Sequence, residues 1–273
     1  MKIASLFLSV IVLASCANGK EALYVGSTPA HPVIKSFLGI PLSDSIDFIK
    51  WKVVIKGDKY SLHCQFGIGK QNTDGFINDG KTIELEGRLR KEKNYYFLQN
   101  GDRTLKLFAL NGDLLHFLNN DNSLLVGNGG WSFTINADKP SNTHQINIRP
   151  KQTTLTDSAA FEGRTPCTGF KEIHPGPNCI KLKWLVVLYA NPATNEPTTY
   201  HLNGTYNRQG GKRGIWKIIT GKDGRLIYQL ILEKQNESVY LLKLTKDILV
   251  FTDKEGKLLV GDKNFSYTLS RRW

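Results

Sequence analysis

A chain of 273 residues with 36 Lys and Arg against 24 Asp and Glu is basic, at a formal charge of +12, and the basic residues are spread along it and not gathered in a tail. At 40% hydrophobic and 10% aromatic it holds too many core-forming residues for a disordered chain. No nucleic-acid-binding motif accompanies the charge. The clusters Arg88-Leu-Arg-Lys91, Lys212-Arg213 and Arg271-Arg272 are read first as an evenly solvated basic surface, the alternative being attraction to anionic lipid headgroups or lipopolysaccharide phosphates.

The first segment reads as a secretory signal. Lys2 precedes an apolar run from Ile3 to Ala14, shorter than the ~20 residues that cross a bilayer. Leu13-Ala-Ser-Cys16 closes that run and resembles a bacterial lipobox. The resemblance implies cleavage before Cys16 and acylation of its thiol, with palmitate among the expected acyl groups. Residues 1–15 are then signal peptide and 16–22 a lipidated tether. An exported chain works in an oxidising compartment. Of the remaining thiols, Cys64 shares a strand face with Leu62 and Phe66 and is read as a small buried hydrophobe. Cys167 and Cys179 bracket a Gly- and Pro-rich loop, and a disulfide between them would contribute about 2–3 kcal/mol.

After the tether, Pro32 to Leu38 is predicted as the main helix. Strands are predicted at Trp51 to Ile55, Tyr60 to Phe66, Tyr95 to Gln99, Thr104 to Leu110 and Leu114 to Asn119. Lys56-Gly-Asp-Lys59, Asn100-Gly-Asp102, Asn111-Gly112 and Asn120-Asp-Asn122 are turn signals between them. Gly127-Asn-Gly-Gly130 joins two strands and opens no helix, so it reads as a hairpin turn and not a phosphate cradle. A further helical turn is expected after Pro166.

The chain then repeats itself. Leu124-Leu-Val-Gly127 returns as Leu258-Leu-Val-Gly261, and Trp131-Ser-Phe-Thr-Ile135 as Phe265-Ser-Tyr-Thr-Leu269. Asp113-Leu-Leu-His-Phe117 matches Asp247-Ile-Leu-Val-Phe251. Ile49-Lys-Trp-Lys-Val-Val54 matches Leu182-Lys-Trp-Leu-Val-Val187, and Gly26-Ser-Thr-Pro29 matches Gly163-Arg-Thr-Pro166. Matches in constant order across the mature chain mean one domain used twice, not a solenoid. The expected architecture is all-β: domain 1 over residues 23–137, a linker at 138–144 and domain 2 over 145–273. Each is a small antiparallel barrel built as a meander.

Phe161-Glu-Gly-Arg-Thr-Pro-Cys167, followed by the Leu182-Lys-Trp-Leu-Val-Val-Leu188 strand and the run from Leu244 to Leu269, resembles the N-terminal domain of NlpE-type lipoproteins. That resemblance implies a lipocalin-like barrel on an outer-membrane lipid anchor, at the periplasmic face or the cell surface. It also implies a part in copper homeostasis, adhesion or envelope stress, exercised through an envelope protein partner. Ala17 after Cys16 agrees with outer-membrane sorting. The family's CxxC is absent, because Cys167 is followed by Thr168-Gly-Phe170, and Met1 is the only methionine. Copper therefore rests on Cys167, His174 and Cys179 alone, set against the disulfide. His63 and His201 occupy corresponding strands but point away from the Leu62 and Leu202 faces.

There is no HExxH, GxSxG or Walker loop, and no cofactor is expected. Three readings follow: an NlpE-like envelope lipoprotein acting by protein contacts, a lipocalin-like module for a small apolar ligand or lipid, or a structural or adhesive envelope protein. Trp51 and Trp184 serve either as lumen plugs or as ligand walls.

Overall fold

In Phe48-Ile-Lys-Trp-Lys-Val-Val-Ile-Lys56 the side chains of Ile49, Trp51, Val53 and Ile55 are buried while Lys52 and Lys56 are exposed. The same alternation builds eight strands in the first half: β1 (Ala22–Pro29), β2 (Phe48–Lys56), β3 (Lys59–Gly67), β4 (Lys81–Glu92), β5 (Tyr95–Asn100), β6 (Arg103–Ala109), β7 (Leu114–Phe117) and β8 (Thr134–Ala137). A computed structural model describes residues 21–141, 143–148, 157–169, 179–205, 207–221, 223–232 and 237–272. Each strand pairs antiparallel with the next, and β8 returns to β1 through Tyr24↔Ala137 and Val25↔Asn136, closing a barrel. The cluster Arg88-Leu-Arg-Lys91 is part of β4, where Leu89 is buried and Arg90 pairs with Glu92.

The second half repeats the plan with β9 (Ser158–Thr165), β10 (Leu182–Ala190), β11 (Pro197–Gly204), β12 (Asn207–Thr220), β13 (Leu226–Leu232), β14 (Glu237–Thr245), β15 (Ile248–Thr252) and β16 (Thr268–Arg271). It too is a closed antiparallel barrel, with β16 pairing β9 through Ser270↔Glu162 and Arg271↔Phe161. The fold is all-β, two tandem eight-stranded barrels, as the duplication in the sequence requires.

Call the end where β1 begins the lower end. The upper mouth of barrel 1 is closed by α1 (Pro32–Leu38), which buries Ile34, Phe37 and Leu38. Pro32 suits the first turn, and His31 Nδ1 accepts the Val33 N–H at 3.3 Å. Gly39 ends the helix in the left-handed conformation, φ 72°, and donates to Ser36 O at 3.2 Å. Barrel 2 has no such helix in the described residues. Residues 167–169 form a bend and turn where a helical turn was expected, and the Cys167–Cys179 disulfide lies against the core from that loop.

The polar junction does not hang free. The Ser141 amide and hydroxyl donate to Asp113 Oδ1 at 2.7 and 2.8 Å. Asn147 donates its amide to Leu110 O (2.8 Å) and its Nδ2 to Ala109 O (3.0 Å), so the chain leaving barrel 1 runs along its lower flank. Three apolar cores result: one in each lumen, and a third that draws Phe108, Leu110, Leu114 and Leu118 from barrel 1 and Leu242, Leu244, Ile248, Val250 and Leu258 from barrel 2. The third core is the seam between the barrels. They stand side by side with their upper ends on the same side, since the upper loops meet through Asp74 and Asn264 and the lower strand ends meet in the apolar cluster.

Candidate functional site

Each lumen holds one tryptophan bonded to a threonine of the first strand, and barrel 2 buries a second, Trp216, on Tyr228 with ring centroids 4.9 Å apart. Trp51 Nε1 donates to Thr28 Oγ1 at 2.9 Å, and Trp184 Nε1 to Thr165 Oγ1 at 2.8 Å. Both threonines are fully buried, and each hydroxyl donates a hydrogen bond to the following proline carbonyl, at 3.1 and 3.2 Å. The indoles pack on Phe117 and Phe251 with ring centroids 4.8 and 4.9 Å apart. A tyrosine on the third strand of each barrel completes the centre: Tyr60 donates to Gln99 O (3.2 Å) and Tyr200 to Ile231 O (2.9 Å). Burial pushes the Tyr60 and Tyr228 phenols up to about 12, so neither ionises near neutrality. Among these groups no acid is set beside a base or nucleophile. The Thr-Pro pairs and the tryptophans were visible as repeats; that they bond to one another was not, because β1 and β2 bring them together only in the folded register Thr28↔Ile49 and Gly26↔Trp51.

The upper seam is a second constellation. Phe48 lies stacked between Phe76 (4.2 Å) and Trp131 (4.4 Å). The Arg164 guanidinium of barrel 2 sits 4.9 Å over Trp131, and the Lys50 ammonium 6.0 Å over Phe76. Lys50 also lies 3.8 Å from Asp74, whose carboxylate accepts from Asn264 Nδ2 at 3.0 Å. Burial pushes the Asp74 carboxyl up, but Lys50, hydrogen bonds including that from Asn264, and Lys263 outweigh it and hold the group below its ordinary value. Lys181, 5.9 Å over Phe265, is pulled down by burial and by its neighbours Arg164 and Lys183. Phe48 and Phe76 are themselves buried, so the stack belongs to the packing of the upper seam. Four of the six large apolar side chains exposed among the described residues lie at the upper end: Leu42, Ile68, Ile77 and Ile180. The other two, Tyr189 and Ile215, lie on the wall of barrel 2.

The predicted site residues fall as follows. Cys16 and His174 lie outside the described residues. Cys167 and Cys179 form a disulfide, Cα to Cα 6.2 Å, so neither offers a thiolate in this state. No group of three or more His, Cys, Asp or Glu among the described residues is placed to hold a metal. Cys64 is buried, and burial pushes its thiol well up. His63 pairs with Glu84 at 3.1 Å on the outer wall of barrel 1, and His201 approaches Gly210 O at 3.4 Å on barrel 2, so the fold does not bring the two together. No helix among the described residues is long and apolar enough to cross a membrane.

Fold and site define a class: a pair of small closed β-barrels fused side by side, whose centres are plugged by their own aromatic side chains. No family model, curated protein or solved structure matches the chain.

Proposed function

We propose that the chain is a lipid-anchored protein of the bacterial outer membrane that acts by contact with another envelope protein, in the manner that the resemblance to NlpE-type lipoproteins implies, and that it performs no catalysis. Residues 16–21 lead straight into Ala22 at the lower end of β1, and six residues reach at most about 20 Å. An acylated Cys16 therefore holds the lower end at the membrane and presents the upper end away from it. The observation that carries the reading is the gathering of Leu42, Ile68, Ile77 and Ile180 at that upper end. Single exposed apolar side chains are ordinary; several at one end of the molecule suit a protein partner. A lipid-carrying barrel gains no support from lumens whose centres hold Trp51 on Phe117 and Trp184 on Phe251. A copper role gains none while Cys167 and Cys179 are joined.

The test places a photo-crosslinking amino acid at Ile77 or Leu42, and for comparison at Lys93 on a lower turn, in cells producing the full chain. A discrete protein adduct from the upper sites alone is expected, abolished when Cys16→Ala releases the chain from membranes. Equal adducts from both ends, or none from the upper end, would reject the reading.

A further inference from the structure

A duplicated domain can pack on its copy in two ways. If the contact is head-to-tail, different patches meet; if it is two-fold, each residue near the axis meets its own duplicate. The seam is of the second kind. Ser132 Oγ lies 2.5 Å from Ser266 Oγ, and Thr134 Oγ1 lies 3.3 Å from Thr268 Oγ1, each pair 134 residues apart, which is the period of the repeat. Off the axis the contacts come in exchanged pairs. The Gly127 amide donates to Ser270 Oγ at 3.0 Å, and its duplicate Gly261 donates to Asn136 Oδ1, the duplicate position of Ser270, at 2.9 Å. Both glycines are required there. A Cβ on Gly127 would stand 2.3 Å from Trp131 O and 2.7 Å from Ser270 Oγ; one on Gly261 would stand 2.1 Å from Phe265 O and 2.9 Å from Asn136 Oδ1. The apolar seam repeats the rule, for Phe108, Leu110 and Leu114 face the cluster with their duplicates Leu242, Leu244 and Ile248.

We infer that the surface each barrel turns to the other is self-complementary, and that barrel 1 accepts a second copy of barrel 1 on the same surface. In such a pair Ser132 meets Ser132 and Thr134 meets Thr134. Gly127 donates to Asn136 twice, with the donor and acceptor types that Gly261 and Asn136 already use. The apolar residues pack on their like. Contacts off the two-fold rule select the native pairing: Arg164 over Trp131 and Asn264 on Asp74. Barrel 1 has Ser27 where barrel 2 has Arg164, and Gly130 where barrel 2 has Asn264, so a pair of first barrels lacks these contacts. They act as specificity elements laid over a symmetric interface.

The test uses the full chain with a protease site placed within residues 149–156, cleaved after folding and examined by native mass spectrometry at micromolar concentration. The cleaved wild-type chain is expected to remain a one-to-one pair of halves. Ile248→Glu puts a charge into the seam from barrel 2 only; after cleavage, part of the first half, still wild type, is expected at the mass of its homodimer. Leu114→Glu with Ile248→Lys is expected to restore the one-to-one pair through a charge pair. Halves that part in the wild type, or a first half that stays monomeric when released by Ile248→Glu, would overturn the inference. Because the first half is unaltered in that variant, misfolding of the second half does not obscure the result.

Discussion

The two barrels share one Trp-Thr-Phe unit at their centres and differ at their upper mouths. Trp51 with Thr28 and Phe117 is repeated by Trp184 with Thr165 and Phe251 to within 0.1 Å in the hydrogen bond and the ring separation. Above that centre, barrel 1 carries α1, whose Ile34, Phe37 and Leu38 are buried in the mouth. Barrel 2 carries the loop closed by Cys167–Cys179 at the corresponding place. A segment with a good apolar face closes a barrel by burial, whereas in barrel 2 a covalent link joins the two ends of a loop.

The largest effect tests the shared centre. Trp51→Ala and Trp184→Ala each empty a fully enclosed aromatic position, and each is expected to cost about 3–5 kcal/mol of unfolding free energy. Urea titrations followed by circular dichroism should place the two losses close together. Unequal losses would mean that one barrel carries its centre less tightly than the matching geometry implies.

A second difference between the copies lies where β7 and β15 face the seam, with His116 at one position and Val250 at its duplicate. His116 is fully enclosed: its Nε2 is 2.8 Å from Leu125 O and its Nδ1 2.8 Å from Thr134 Oγ1. The carbonyl only accepts, so Nε2 carries the proton and Nδ1 accepts from the threonine. Burial holds the imidazole down to about 4, well below its ordinary value near 6.5. Above pH 6.5 both folded and unfolded chains keep it neutral, and stability is undiminished. As the pH falls from 6.5 to 4 the unfolded chain takes up the proton and the folded chain does not, a loss of roughly 3 kcal/mol that is complete below pH 4. His116→Val, which borrows the residue of the second copy, is expected to flatten that part of the pH dependence of the urea midpoint. An unchanged slope between pH 7 and 4.5 would show that His116 is not the group that titrates.

Much of this was legible in the sequence. The duplication, the meander, α1, the burial of Cys64 and the outward His63 followed from period, turn residues and one capped apolar segment. The seam was not, because a strand pattern shows which residues are apolar but not which neighbour covers the outer face. A signal was nevertheless present. Leu114-Leu-His-Phe117 and Ile248-Leu-Val-Phe251 do not alternate, and a strand apolar on successive residues is covered on both faces. Gly127 was read through the turn between strands, and the close approach of Trp131 O fits that; the second approach, by Ser270 Oγ of the other barrel, depends on packing that local sequence does not encode. The aromatic and cationic stack of the upper seam has the same origin, since Phe48, Phe76, Trp131 and Arg164 come from four separate segments and two barrels.

The smallest expected effect bears on the mouths. If the disulfide does for barrel 2 what the apolar face of α1 does for barrel 1, its loss should weaken barrel 2 alone. The link closes a loop of 12 residues in sequence separation, and constraint of the unfolded chain by so short a loop contributes about 2–3 kcal/mol. Cys167→Ser with Cys179→Ser removes it without altering α1. Hydrogen exchange read by mass spectrometry is expected to show faster exchange in β9, β10 and β16, which surround that mouth, with β1 to β3 unchanged. The free thiol of Cys64 gives an internal check, for it lies in the core of barrel 1 and should stay unreactive to a maleimide in the variant as in the wild type. Labelling of Cys64 would mean that opening the mouth of barrel 2 loosens barrel 1 as well. The disulfide would then support the pair through the seam, and the two mouths would not be alternative solutions to one local problem.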